Sequence, residues 1–154
     1  MERDYFIFKT QVSFGIFSDE EVDPASISEE LQLKPNRSCK KGDTYIGKKT
    51  GNIYGTSPRT VWAIDTEWTY HEEETISHHI EYFKSILLPK IDIIKKYKED
   101  KCFDVNFWIF IDSECAGIGL DLKEEELKFF HSLSNWVHFS LICKNEMDDR
   151  EKCK

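Results

Sequence analysis

The chain has 154 residues, 40% hydrophobic and 32% charged, the length of one ordinary domain with enough apolar material for one core. Its 21 bases against 29 acids give a formal net charge of -8, which argues against duplex nucleic acid as the main partner, because that binding neutralises phosphates with clustered Lys and Arg. No 18 apolar residues run together, the start MERDYFIFKT lacks a signal peptide's basic opening, and five scattered cysteines without a CxxC pair suit a reducing compartment, so no membrane association and a cytoplasmic setting are expected.

Residues 5–17 alternate, with Phe6, Phe8, Thr10, Val12, Phe14 and Ile16 on one face and Ile7, Lys9, Gln11 and Ser13 on the other, the period of a strand with one buried face. An acidic turn follows over residues 18–23. Asp23 as cap and Pro24 in the first turn then predict a short helix, with Ile27 and Leu31 facing inward and Pro35 ending it. Residues 52–56 and 60–68 read as a hairpin joined by Ser57, Pro58 and Arg59, with Trp62, Ile64, Thr66 and Trp68 on one face. Over residues 72–98 Ile76, Ile80, Phe83, Leu87, Ile91 and Ile94 recur at steps of three and four, the period of a helix, and Pro89 predicts a break near Leu88.

The run DVNFWIFID is apolar on both faces from Val105 to Ile111, which predicts a central strand covered on each side. Residues 117–122 read as a short strand, 123–133 as a helix and 136–143 as a final strand. A charged tail over 145–154 is expected to lie outside a single domain of residues 1–144. This order lacks the one-to-one rhythm of a doubly wound sheet and predicts an α+β fold, with three helices packed on a mostly antiparallel sheet. Strand, acidic turn and short helix recur in residues 5–33 and 105–133, which leaves open two related ferredoxin-like halves.

Catalytic signals are sparse. No GxSxG elbow, GxxxxGK[ST] loop, HExxH helix or GxGxxG turn is present. Glu74 and His78 are one helical turn apart but supply two ligands where a catalytic zinc needs three, and His79 lies beside the apolar face, so both histidines are read as core or edge residues. Asp65 and Glu67 share a predicted strand face and are read as solvated acids rather than an acid/base pair. No enzyme activity, metal or cofactor is expected.

Residues 34–49, KPNRSCKKGDTYIGKK, hold six bases and one acid. Without them the chain keeps 15 of its 21 bases and 28 of its 29 acids, or -13, so this loop is the positive pole of an acidic protein. Arg37, Lys40 and Lys41, with backbone donors among them, could cradle an anion. The alternative is a solvated loop whose lysines balance neighbouring acids.

The run from Asp23 and Pro24 through Ile27, Leu31-Gln32-Leu33 and Pro35 to Lys41-Gly42-Asp43, followed by Trp62 and by His79 on a long helix, resembles the bacterial family DUF4279, a domain of unknown function. The closing AGIGLDLKEEELKFFHSLSNWVHFSLI is similar to that family's last strand, helix and strand, and the similarity spans about Phe8 to Cys143. The resemblance implies a small cytoplasmic module without established catalysis. It also implies that Lys41, Gly42 and Asp43 are shaped by a turn, with Gly42 at positive φ and Arg37, Lys40, Lys48 and Lys49 as the partner-facing part.

Two functions are expected from this reading. The first is a non-catalytic binding module, an immunity or inhibitor protein that occludes a basic partner protein through the acidic remainder. The second is a sensor or sequestering protein for a nucleotide or phosphorylated metabolite. Its ligand-binding residues would be Arg37, Lys40 and Lys41 for charge, with Tyr45, Trp62 and Trp68 as stacking surfaces.

Overall fold

The alternation read at the start of the chain becomes β1 (Phe8–Ser18), and this strand is the middle of a six-stranded sheet. The computed structural model describes residues 8–46, 50–71, 75–114 and 118–143; the tail expected at 145–154 lies outside the described residues. After β1 come α1 (Pro24–Leu31), β2 (Arg37–Cys39), β3 (Thr44–Ile46), β4 (Ile53–Thr56), β5 (Thr60–Asp65) and β6 (Thr69–His71). The second half holds α2 (Ser77–Leu87), α3 (Ile91–Glu99), β7 (Phe103–Ser113), α4 (Glu124–Leu133) and β8 (Trp136–Cys143). The fold is α+β.

The sheet order is β2-β5-β1-β7-β8, with β6 pairing the first residues of β1 beside β5. Every pairing is antiparallel except that of β7 with β8. The two longest strands, β1 and β7, form the central ladder from Phe8 opposite Ser113 to Ser18 opposite Phe103. Each opens a unit of strand and helix, yet the units close differently. Strand β8 returns beside β7, whereas β2 lies beyond the interposed β5.

Local chemistry explains the helix ends. Asp23 Oδ1 accepts from Ala25 N at 2.9 Å with Pro24 in the first turn, as the sequence predicts for α1. Pro89 has no backbone N–H to donate, and a three-residue 3-10 turn (Leu88–Lys90) separates α2 from α3 at the expected place. At α4 the buried Glu126 accepts from Lys123 N at 3.0 Å and from Ser77 Oγ at 2.7 Å, which ties the first turn of α4 to the start of α2.

Three expectations are corrected. β4 and β5 do not form a hairpin: β4 pairs with β3 in a separate two-stranded sheet, while β5 joins β1 and β2. Residues 118–122 are irregular rather than a strand. Most consequential, the described helices do not cover the central strand β7 on both sides. Val105, Phe107, Ile109 and Ile111 share one core cluster with Val12, Phe14 and Ile16 of β1 and with the buried residues of all four helices. Phe107 is its hub, with ring centroids 5.1 Å from Phe14, 4.9 Å from Phe130 and 5.6 Å from Phe83. Each such buried aromatic contributes about 1.5–3 kcal/mol by burial. The alternate residues of the same strands look the other way, onto a face without a helix among the described residues.

Candidate functional site

The basic loop is built as a counterweight to the acidic turn between β1 and α1. Lys40 Nζ lies 2.8 Å from Glu21 Oε1, Lys41 Nζ donates to the Asp19 carbonyl at 2.5 Å, and Arg59 Nε lies 2.6 Å from Asp19 Oδ1. Hydrogen bonding between Lys40 and Glu21 lowers the carboxyl below its usual range and raises the ammonium above its own. Arg37 turns away from this group and binds Asp65 through Nε at 2.6 Å and Nη2 at 2.9 Å, with a further bond to Ser13 Oγ at 3.1 Å.

The Lys-Gly-Asp segment is a turn. Gly42 has φ 89°, Asp43 N donates to the Lys40 carbonyl at 3.0 Å, and the Asp43 carboxylate accepts from Lys40 N at 2.8 Å. A groove of about 750 Å³ runs between this turn and α1, but Asp23, Glu29 and Asp43 line it along with Lys34 and Lys40. An anion there would meet three carboxylates. Lys48 and Lys49 lie outside the described residues, as does the side chain of Tyr45.

The two tryptophans expected to stack on a ligand lie on opposite sides of the sheet. Trp62 is fully buried among core residues, its ring edge-on to Phe14 and its Nε1 donating to Ser28 Oγ at 2.9 Å, so it is a core residue and not a stacking surface. Because β5 stops at Asp65, the alternation that would keep Trp68 with Trp62 is broken. Trp68 packs on the helix-free face, 5.1 Å from Lys9 Nζ and 6.3 Å from the Phe110 ring.

Asp65 and Glu67 do not act together either, since Asp65 is held by Arg37 and Glu67 lies past the end of the strand. His79 is buried with Nε2 and Thr10 Oγ1 2.9 Å apart, and its neighbour His78 has its pKa lowered by burial. Glu72, Glu73 and Glu74 lie outside the described residues. Among the described residues no cluster of three His, Cys, Asp or Glu could hold a metal. No helix of the described residues is long and apolar enough to cross a membrane.

The helix-free face itself is the feature that sequence reasoning missed. Register places its residues in rungs: Arg37, Ala63, Gly15, Asn106 and Trp136 in one, Asp65, Ser13, Trp108 and His138 in the next. The small residues Ala63, Gly15 and Ser13 make a low floor. Arg37 reaches across it to Ser13, and the Phe17 ring folds over Gly15, where an added Cβ would fall 2.3 Å from a ring carbon. Beyond this floor a row of rings runs from Trp68 through Phe110, Trp108 and His138, with centroid spacings of 6.3, 5.9 and 4.0 Å, and Trp136 lies 5.9 Å from Trp108. The charges on the face are paired, Lys9 with Asp112 at 3.4 Å and Arg37 with Asp65.

Two buried polar groups of this face are unsatisfied. Among the described residues neither Oδ1 nor Nδ2 of Asn106 has a hydrogen-bond partner, although the residue is 0% exposed, and Trp108 Nε1 has none. Buried polar atoms in native proteins are paired in the great majority, and each exception asks for an explanation.

The sequence model of the family described as Domain of unknown function (DUF4279) matches residues 8–144. The chain belongs to the DUF4279 family. The match covers all the described strands and helices, and thus both the basic turn and the helix-free face. Searches of curated proteins and of solved structures gave no match.

Proposed function

We propose that this DUF4279 chain is a non-catalytic binding module that occludes a basic partner protein, in the manner of an inhibitor, and that its recognition surface is the helix-free face of the sheet. The observation that carries this reading is the row of rings from Trp68 to Trp136 on a sheet face that no described helix covers. Contiguous aromatic surface of this kind marks interaction sites, and Trp and Tyr dominate the energetics of protein interfaces. A flat face several strands wide suits a macromolecule better than a small molecule, which favours a concave pocket.

Charge supports a basic partner. Lys40, Lys41, Arg37 and Arg59 are each engaged by an acid or a carbonyl of the same chain, so the net -8 is expressed by the remaining acids. The reading of the loop as an anion cradle is correspondingly weak.

The test uses the full chain as bait at low salt, followed by identification of the captured protein and titration of the purified pair. A basic protein is expected, held more weakly as salt rises. Trp68→Ala with Tyr70→Ala, both exposed positions, should reduce affinity by more than about tenfold. Lys40→Ala with Lys41→Ala should leave it within a few-fold. The opposite pattern would move recognition to the basic loop.

A further inference from the structure

Strand β8 bonds to β7 on one side only, and among the described residues nothing pairs with its outer edge. Edge strands are normally blunted by charge, proline or a bulge. WVHFSLIC has no Lys, Arg, Asp, Glu or Pro. Instead Trp136, Phe139, Leu141 and Ile142 are 38%, 49%, 50% and 55% exposed.

Such an edge fits a copy of itself in one register. Strand pairing about a two-fold axis perpendicular to the sheet is antiparallel and keeps each face with its like, so odd residues meet odd and even meet even. Odd residues of β8 lie on the helix side, beside Phe107, Ile109 and Ile111, and even residues on the open side, beside Asn106, Trp108 and Phe110. An axis through Phe139 sets Trp136 opposite Ile142 of the second copy, Val137 opposite its Leu141 and Phe139 opposite itself. The only polar residues in the span, His138 and Ser140, meet each other. An axis one residue away in either direction breaks these matches, leaving Trp136 without a partner in the strand or pairing it with Ser140.

The helix side supplies a matching recess. A groove of about 240 Å³ lined by Leu122, Leu127, Phe130, Val137 and Phe139 opens next to the strand. Leu141 of the second copy, sitting across from Val137, faces this groove.

We propose that two copies of the chain pair along β8 about a two-fold axis at Phe139, joining their sheets into one. The exposed side chains of β8 leave on the order of 300 Å² of apolar surface per copy, given about 150–250 Å² for a whole aromatic side chain. With Leu127 and the strand edge, two copies bury roughly 1,000 Å², the lower end for a specific interface, and the dissociation constant is on the order of micromolar.

Sedimentation velocity of the full chain across the micromolar range tests this. A monomer–dimer equilibrium is expected, and Phe139→Lys, which sets two ammonium groups face to face on the axis, should abolish the dimer. A second measurement does not depend on that variant folding. In a chain whose five cysteines are serine, Phe139→Cys should form an intermolecular disulfide, because directly opposed Cβ atoms lie about 4.5–5.5 Å apart, whereas Leu141→Cys should not. A chain that stays monomeric throughout, or one that cross-links faster through Leu141→Cys, overturns the proposal. So does a monomer that loses a different protein on Phe139→Lys.

Discussion

Asn106 is the residue whose placement most needs a function. It stands opposite Gly15 in the central ladder, fully buried, with an amide that makes no hydrogen bond among the described residues. Leaving such a group unsatisfied is worth about 1–3 kcal/mol, and an apolar side chain of similar volume removes that penalty. Asn106→Leu is therefore expected to raise the thermal unfolding midpoint by several degrees in calorimetry, at roughly 2–4 °C per kcal/mol for a chain of this size. A lowered midpoint would show that the amide is structural.

A second residue reports through pH. Tyr97 donates to Glu30 Oε2 at 2.9 Å, and burial, then this bond, raise its phenol above the usual range. The folded chain keeps that proton where the unfolded chain loses it. The stabilisation is complete below about pH 10 and declines as pH rises further. Urea midpoints followed from neutral to alkaline pH should fall less in Tyr97→Phe than in the parent; equal slopes would remove Tyr97 as the cause.

Legibility at this scale follows from the range of the interaction. The positive φ of Gly42 and the turn at Lys41-Gly42-Asp43 are what the family resemblance implies, and the signal and the turn occupy the same three residues. The sequence pattern places Trp62 and Trp68 on one shared face, but alternation holds only while a strand lasts, and nothing in TVWAIDTEW announces that β5 ends at Asp65.

At the scale of elements, α4 and α2 are joined by a single buried carboxylate. Glu126 satisfies one backbone donor at its own helix start and one hydroxyl at the start of α2. Glu126→Ala leaves the Lys123 N–H and Ser77 hydroxyl without that acceptor, and a loss of about 1–3 kcal/mol is expected in urea denaturation. Glu126→Gln, which keeps an acceptor, should recover part of it. A change below a few tenths in the alanine variant would mean that water replaces the carboxylate. The helix break at Pro89 and the cap at Asp23 were legible because the signal and its effect occupy neighbouring residues. The hairpin expected from residues 52–68 failed for the converse reason: Ser57, Pro58 and Arg59 make a turn, but the strands on either side pair with β3 and with β1, choices set by residues far away.

For the whole molecule, the decisive fact is that the four described helices contribute their buried apolar residues to one cluster on one side of the sheet. Sequence alone reported β7 as apolar on both faces, and two arrangements satisfy that pattern: helices on each side, or helices on one side and a partner on the other. On the proposed function, charge favours a basic partner. With Lys40 and Lys41 held by the acidic turn, the proposed function expects long-range attraction to come from the acids and short-range hold from the aromatic row, so the association rate with a basic protein should fall steeply with ionic strength while the dissociation rate changes little. Stopped-flow mixing at several salt concentrations separates the two, and a salt effect confined to dissociation would contradict this division of labour.

The ladder between β1 and β7 also sets the order in which the molecule can come into being. Its opposing residues are separated by more than half the chain, so β1 has its central neighbour only once the sequence from Phe103 to Ser113 exists. Closing so long a loop must precede most of the burial that rewards it, which places this protein among slow folders for its size. During synthesis the alternating Phe8 to Phe17 segment emerges before the other described elements, and among the described strands β5 and β6 are the sheet partners available to it before β7 appears. The interval in which an apolar strand stands half-paired is thus written into the topology, and it is the period when chaperones, or a second nascent copy, would meet it.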